Sequence, residues 1–276
     1  NVQYALLIQR SGAGDALFHR SLPSGFRQIF NLLGSILHKR YGSDLRRYGV
    51  GKNERLPRTG SGAREVAGQL GVQLGVGDVE VYVSAMHPTV LAVEPGSPPQ
   101  VVVGQSLREG AEAPELRFLM ARALKLYRSG CALPARMSDL ELGVLMGAIV
   151  RQFQPDFAPA GVDPAALADE AQRLNRLIPK NTRNDLAPFA IECVQVAMNP
   201  AGIAAGLAHT GNRVGLLAAG DVTAGVHILS RRAGLDPRAA GPGGLTRHLR
   251  GQPEVEELLR FAVSDDYLEL RRQLGA

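Results

Sequence analysis

The sequence predicts an α+β fold that is mostly α-helical, with one small antiparallel sheet. Three short runs rich in β-branched residues lie between Val79 and Val103, and turn residues separate them. From Pro114 onward, apolar residues recur at helical spacing. The 276 residues are enough to bury a substantial core. Because the chain has no Trp and only 5% aromatic residues, that core must consist mainly of Leu, Val and Ala.

The first part of the chain precedes any long helical pattern. Residues 1–25 contain a short apolar patch and then a Ser/Gly-rich break, so we expect an N-terminal extension or linker there. Residues 26–276 are then expected to form a single domain, in which 200–276 is a possible C-terminal helical subdomain. We find no internal repeat of 20–50 residues that would indicate a solenoid.

The predicted elements follow from spacing and from the residues that start and stop each one. Amphipathic spacing predicts the first helix, and a basic, Gly-punctuated loop separates it from the second. Consecutive strands joined by turns with Pro88 and Pro95 predict a meander. The elements are helices at about 26–37 and 63–74, strands at 79–83, 89–93 and 100–103, and helices at about 114–129, 138–153, 164–178, 182–198, 200–219, 221–232, 254–263 and 265–274.

Several helix ends have recognisable signals. Pro114 and Glu115 suit a first turn, because proline lacks the N–H that is unpaired there and the carboxylate favours the positive end of the helix dipole. Ser138 has the capping-box spacing with Glu141. The pair Gly220-Asp221 predicts the end of one helix and the start of the next.

Charge and cysteine content bound the class of protein. The formal net charge is +5, and the densest basic run lies between Arg40 and Arg58. This run predicts a solvated face, with a nucleic-acid-binding module as the alternative. Cys131 and Cys193 are far apart, which favours free thiols in a reducing, cytoplasmic compartment over a disulfide. The sequence contains no run of 18 apolar residues, so it predicts no transmembrane helix.

The chain starts at Asn1, without Met and without a signal-peptide pattern. We therefore allow that it is a fragment of a longer protein.

Two separate segments of the sequence, called the two phrases below, have the residue spacing of a zinc-binding motif. The first runs from Val101-Val102-Val103-Gly104 to a helix with Glu115-Leu116 and then Arg122-Ala123-Leu124-Lys125-Leu126. The second is Thr210-Gly211-Asn212-Arg213-Val214-Gly215-Leu216. Together they resemble the soluble catalytic domain of HtpX-type gluzincin metallopeptidases, which implies a zincin-like helical domain with a small sheet. The segment 211–276 also resembles the C-terminal segments of some uncharacterised bacterial proteins.

The resemblance assigns four positions, called the motif positions below. Arg122, Ala123 and Leu126 stand where the family has His, Glu and His, and Thr210 stands where it has the third ligand, a glutamate. Zinc needs neutral imidazoles or carboxylates, which these four side chains do not provide. We therefore expect no metal, no cofactor and no catalytic residue. With no family in view, the first phrase is simply a core-facing helix with an apolar stripe.

The resemblance implies a function without catalysis. We expect a pseudo-metallopeptidase that acts as a protein-binding or scaffolding module, because an edge strand can capture an extended peptide after the metal is lost. The helix of Arg122 should then lie beside the helix of Thr210, with the strands along one side. The enzyme alternative is a hydrolase with a relocated site. Neither a metal site from His87, His209 and His227 nor a Cys193–His209 dyad has support in the spacing.

Overall fold

The structure is a computed structural model that describes residues 17–197, 199–235, 249 and 251–274, with the backbone alone at 191, 193 and 195–197. Most of these residues are helical, as predicted. The helices are α1 (Ser24–Tyr41), α2 (Gly62–Gln73), α3 (Gln105–Arg108), α4 (Ala113–Arg128), α5 (Ala132–Arg136), α6 (Asp139–Val150), α7 (Pro164–Leu177), α8 (Lys180–Ala197), α9 (Pro200–Ala219), α10 (Val222–Arg232), α11 (Pro253–Ala262) and α12 (Asp265–Leu274). Two 3₁₀ turns, Leu45–Tyr48 and Lys52–Glu54, lie in the basic segment. None of these helices is long and apolar enough to cross a membrane.

The three strands form a mixed sheet. They are β1 (Glu80–Ser84), β2 (Leu91–Glu94) and β3 (Gln100–Gly104), in the spatial order β1-β3-β2. β3 pairs in parallel with β1 and antiparallel with β2. The prediction of an antiparallel meander is therefore wrong, because a meander would place β2 in the centre.

Burial explains why β3 is central. Its three consecutive valines, Val101 to Val103, are each completely buried, which requires cover on both faces. A continuous apolar run of this kind is typical of an interior strand. β2 suits an edge position better, since Leu91 is only half-buried. Glu94, at the end of β2, accepts hydrogen bonds through its carboxylate from the backbone N–H of Asp44 and the hydroxyl of Tyr48.

The described chain divides into two compact units. The first consists of the described residues of 1–18, 43–128 and 208–276, and the second of 19–42 and 129–207. In the first unit, α4 packs against the sheet, α2 and α10, and α10 also packs against α11. In the second unit, α8 packs against α1 and α6, and α7 against α6. The predicted domain boundaries stay a prediction, and residues 1–16 of the expected extension lie outside the described residues.

The predicted helix caps are confirmed. The Ser138 hydroxyl accepts a hydrogen bond from the Glu141 N–H, and the Glu141 carboxylate accepts one from the Ser138 N–H at 2.7 Å. Gly220 has a φ of 67°, a conformation that ends α9 easily because glycine has no Cβ. Asp221 then accepts hydrogen bonds from the N–H groups of Thr223 and Ala224 at the start of α10. Local signals thus set these helix ends.

Candidate functional site

Helix α4 and the part of α9 from residue 208 onward lie side by side and run antiparallel in the first unit. The Arg117 Nε donates to the carbonyl oxygen of Ala218 at 2.9 Å, and the Arg122 guanidinium donates to the side-chain oxygen of Asn212. Later residues of α4 thus meet earlier residues of α9, which makes the pair antiparallel. The helix of Arg122 lies beside the helix of Thr210, as the two sequence phrases predict, and β2 and β3 pack against α4.

Two glycines let these helices approach closely. A Cβ at Gly211 would lie 2.7 Å from the Arg122 Cγ, and a Cβ at Gly215 would lie 2.9 Å from the carbonyl oxygen of Phe118. Real Cβ atoms essentially never come this near another heavy atom. The glycine spacing in this part of the chain therefore serves helix packing, and it places the Arg122 side chain against α9.

Four side chains from four helices meet at this contact and form what we call the Arg122 cluster: Arg122, Asn212, Arg232 and Glu254. The Oε2 atom of Glu254 is 2.7 Å from the Arg122 Nη1 and accepts a hydrogen bond from the Asn212 Nδ2 at 3.1 Å. The Arg232 Nη1 lies 3.3 Å from the same oxygen. Arg122 and Asn212 are buried, with 6% and 1% of their surface exposed.

The electrostatics of the cluster favour an ionised carboxylate. Burial alone would raise the pKa of Glu254, but the charges of Arg122 and Arg232 and the hydrogen bonds from Arg122 and Asn212 hold it well below the ordinary value. The charge of Arg122, together with burial, lowers the pKa of Arg232 to about 10. The cluster therefore contains two guanidinium cations and one carboxylate anion.

All four motif positions are buried in the first unit. Ala123 and Leu126 belong to the apolar interior, and Thr210 is 1% exposed. The charged group at these positions is the guanidinium of Arg122, which donates a hydrogen bond to the side-chain oxygen of Asn212. A guanidinium donates hydrogen bonds but offers no lone pair to a metal. In the part of the chain that the structure describes, no three His, Cys, Asp or Glu side chains are grouped to hold a metal ion.

Sequence reasoning missed Glu254 and Arg232. In the sequence Glu254 marks only the start of the helix predicted at about 254–263, and it lies 132 residues beyond Arg122. No local spacing connects residues so far apart. The buried guanidinium was the available signal, because a charge predicted on a core-facing helix requires a partner from elsewhere in the chain.

A second charged group joins α10 to the start of α4. Glu115 is 2% exposed, its Oε2 accepts a hydrogen bond from the N–H of Glu112 at 2.9 Å, and the Nη1 of Arg231 is 3.6 Å from that oxygen. His227 approaches the other carboxylate oxygen at 3.8 Å. Arg231 also donates to the carbonyl oxygen of Glu109 at 2.6 Å. These contacts cap α4 and hold α10 in place.

The alternative residue sets have little geometric support. Among the described residues His87, His209 and His227 form no metal-holding group. Cys131 is a buried free thiol, as predicted, whereas the side chain of Cys193 lies outside the described residues, and so does the proposed dyad with His209.

The basic segment is partly neutralised. Arg55 pairs with Glu80 at 2.8 Å and Arg58 with Asp78 at 2.6 Å. Arg46, Arg47 and Lys52 are exposed. Fewer cations therefore remain for a nucleic-acid backbone than the sequence count indicates.

The outer edge of β2 has unpaired backbone groups at Leu91. The N–H of Glu80 donates to Pro99 and the N–H of Gly104 donates to Val90, so alternate residues of β3 face β1 and β2. With this register, Leu91 and Val93 direct their N–H and C=O groups away from β3. Among the described residues neither has a partner there. Val93 is buried, so the accessible end of this edge is at the half-buried Leu91.

Comparison with known proteins gives no relative. No family profile, curated protein or solved structure matches the chain.

Proposed function

We propose that this chain is a non-catalytic protein-binding module with a metallopeptidase-like frame, a pseudo-metallopeptidase. The observation that carries the proposal is the Arg122 cluster. At the position where the resemblance places a zinc ligand, the side chain is a buried guanidinium held by Asn212 and Glu254. A fixed internal cation of this kind stabilises the helix contact without a metal, and its hydrogen bonds are directed at protein groups.

The binding element in this proposal is the outer edge of β2. The N–H and C=O groups of Leu91 point away from β3 and are available to an extended peptide, which would add as a further strand. β2 also packs against α4, the helix that holds Arg122. An edge strand beside this helix is the arrangement that a peptidase frame uses to hold a substrate. The partner is therefore an extended segment of another protein.

A selection from a displayed library of random peptides, followed by affinity measurement with the purified full chain, tests this proposal. Leu91→Pro removes one outward N–H while leaving the ladder to β3 intact, because proline is tolerated where an edge N–H faces outward. Leu91→Ala is the matched control, since it shortens the side chain but keeps the N–H. We expect Leu91→Pro to weaken peptide binding by about tenfold or more, and Leu91→Ala by less.

Mass spectrometry of the bound peptides tests the non-catalytic part. We expect the peptides to remain intact after long incubation with the protein. Time-dependent cleavage that disappears in a variant of one titratable residue would favour the hydrolase with a relocated site. Failure to select any peptide, or equal binding by Leu91→Pro and the parent, would reject strand addition at β2.

A further inference from the structure

A cavity of about 290 Å³ opens beside the Arg122 cluster, at the C-terminal end of α10 and the N-terminal end of α11. Its lining includes Leu229, Arg232 and Ala233 from the first of these ends and Gln252, Pro253 and Glu254 from the second. The volume exceeds that of several water molecules, about 30 Å³ each, so a small ionic group fits. The cavity lies within the first unit.

The charge beside this cavity is positive. Arg122 and Arg232 share the single carboxylate of Glu254, and neither arginine has another acidic partner within the described ranges. Arginine side chains carry their positive charge at neutral pH. Among the residues that the structure describes, these two cations and one anion leave one positive charge in excess, and Arg232 is the cation that lines the cavity.

The start of α11 adds hydrogen-bond donors to the same place. Gln252 precedes the helix but provides no side-chain cap, and Pro253 has no N–H. The next backbone N–H, that of Glu254, donates to no described acceptor. Unpaired N–H groups at a helix start, together with the positive end of the helix dipole, attract anions. Arginine contributes a planar set of donors that matches the oxygens of carboxylate and phosphate.

From these observations we infer that the cavity binds one oxyanion, a phosphate or carboxylate group, through the Arg232 guanidinium and the backbone N–H of Glu254. This inference does not depend on the peptide-binding proposal, which uses a different surface. The anion would be held by the positive charge of Arg232 and by the N-terminal end of α11. The group could belong to a phosphorylated ligand or to a free carboxylate.

Isothermal titration of the full chain at constant ionic strength tests the inference, with inorganic phosphate in one arm and acetate in the other. We expect saturable binding with one site per chain. Tighter binding of phosphate assigns the site to a phosphoryl group, and tighter binding of acetate assigns it to a carboxylate. Arg232→Gln should weaken binding by about tenfold or more, the effect of losing one charge-assisted contact.

Two further variants make the result decisive. Arg260→Gln removes the same charge from an exposed position on α11 and should leave the affinity within about twofold of the parent. Ala233→Glu keeps the four residues of the Arg122 cluster but introduces a negative charge at the cavity lining, so it should weaken anion binding by at least as much as Arg232→Gln. It provides the test if Arg232→Gln does not fold. No saturable binding of either anion by the parent would overturn the inference. Binding by folded Ala233→Glu at the parent's affinity would overturn it as well.

Discussion

The buried charge of Arg122 is stable only because of the groups around it. Burying a guanidinium without partners would cost several kcal/mol, so the carboxylate of Glu254 and the amide of Asn212 determine whether the arginine stabilises the first unit or disrupts it. The same carboxylate also faces Arg232. Removing this one anion would leave two like charges close together in a partly buried place.

We therefore predict that Glu254→Gln destabilises the protein by about 2 kcal/mol. This is less than the loss expected for a fully buried pair, because about a third of the Glu254 side chain, 35%, is exposed and solvent screens the interaction. Chemical denaturation is the measurement. The control is Glu256→Gln on the same helix, where the pair with Arg260 is exposed and should contribute about 0.5 kcal/mol. Equal losses of unfolding free energy in the two variants would show that Glu254 contributes no more to stability than an exposed ion pair does.

The pKa of Glu254 also predicts a dependence of stability on pH. Because this pKa is lower in the folded protein than in the unfolded chain, the unfolded chain binds more protons in acid. The stabilisation is fully present above the ordinary pKa of 4.5 and is lost progressively as the pH falls toward the folded-state pKa. Between pH 6 and pH 3 we expect the free energy of unfolding to fall less in Glu254→Gln than in the parent. An identical acid profile would show that Glu254 titrates normally.

At the scale of elements, the contact of α4 with α9 depends on the absence of side chains at two glycines. Alanine favours a helix over glycine by up to about 1 kcal/mol, so a mid-helix glycine needs a packing reason. Gly215 has one, because its missing Cβ makes room for the backbone of α4 at Phe118. A backbone atom cannot rotate away as the end of a flexible side chain can.

Gly215→Ala should accordingly destabilise the protein by about 1–3 kcal/mol despite the better helix propensity, as overpacking usually does. The matched control is Gly68→Ala in α2, where the new Cβ would meet only the terminal Nη1 of Arg64 at 3.3 Å. That variant should be neutral or more stable by up to about 1 kcal/mol. Thermal melts of the two variants check the difference. A stabilised Gly215→Ala would contradict the close contact of the helices.

The sequence predicts these elements well where their signals are local. Ser138 with Glu141 and Gly220 with Asp221 define helix ends through contacts within a few residues, and the structure has them there. Strand order and the partners of Arg122 depend on residues far apart, so spacing alone assigned the sheet wrongly and left Glu254 unseen. The valines of β3 held a usable signal, since three in a row predict burial on both faces.

At the scale of the whole molecule, we predict that the purified protein contains no stoichiometric zinc. None of Arg122, Leu126 and Thr210 carries a usual zinc ligand. Elemental analysis should therefore find well under one zinc per chain, and chelators should leave the Tm unchanged. One tightly bound zinc that a chelator removes with a fall in Tm would refute the pseudo-metallopeptidase proposal.

Restoring the family motif is a stricter test of the frame. The variant with Arg122→His, Ala123→Glu, Leu126→His and Thr210→Glu should bind zinc more tightly than the parent, because α4 and α9 lie side by side. All four positions are buried, so the new polar groups should lower the stability of the metal-free variant. We expect no useful proteolysis, since metal ligands also need neighbouring groups that orient them, and the four substitutions do not supply such groups. A folded variant with the parent's zinc affinity would show that these positions do not converge.

The first unit has a consequence for synthesis of the chain, because its sequence is discontinuous. Residues 43–128 leave the ribosome long before the residues of 208–276 that complete the same unit. Until α9, α10 and α11 are made, Arg122 of α4 lacks its carboxylate partner and the face of α4 that they cover is exposed. Contacts over such separations form slowly. The nascent chain is therefore exposed to aggregation at α4 while residues 129–253 are translated, and chaperone demand should fall only once Glu254 has emerged.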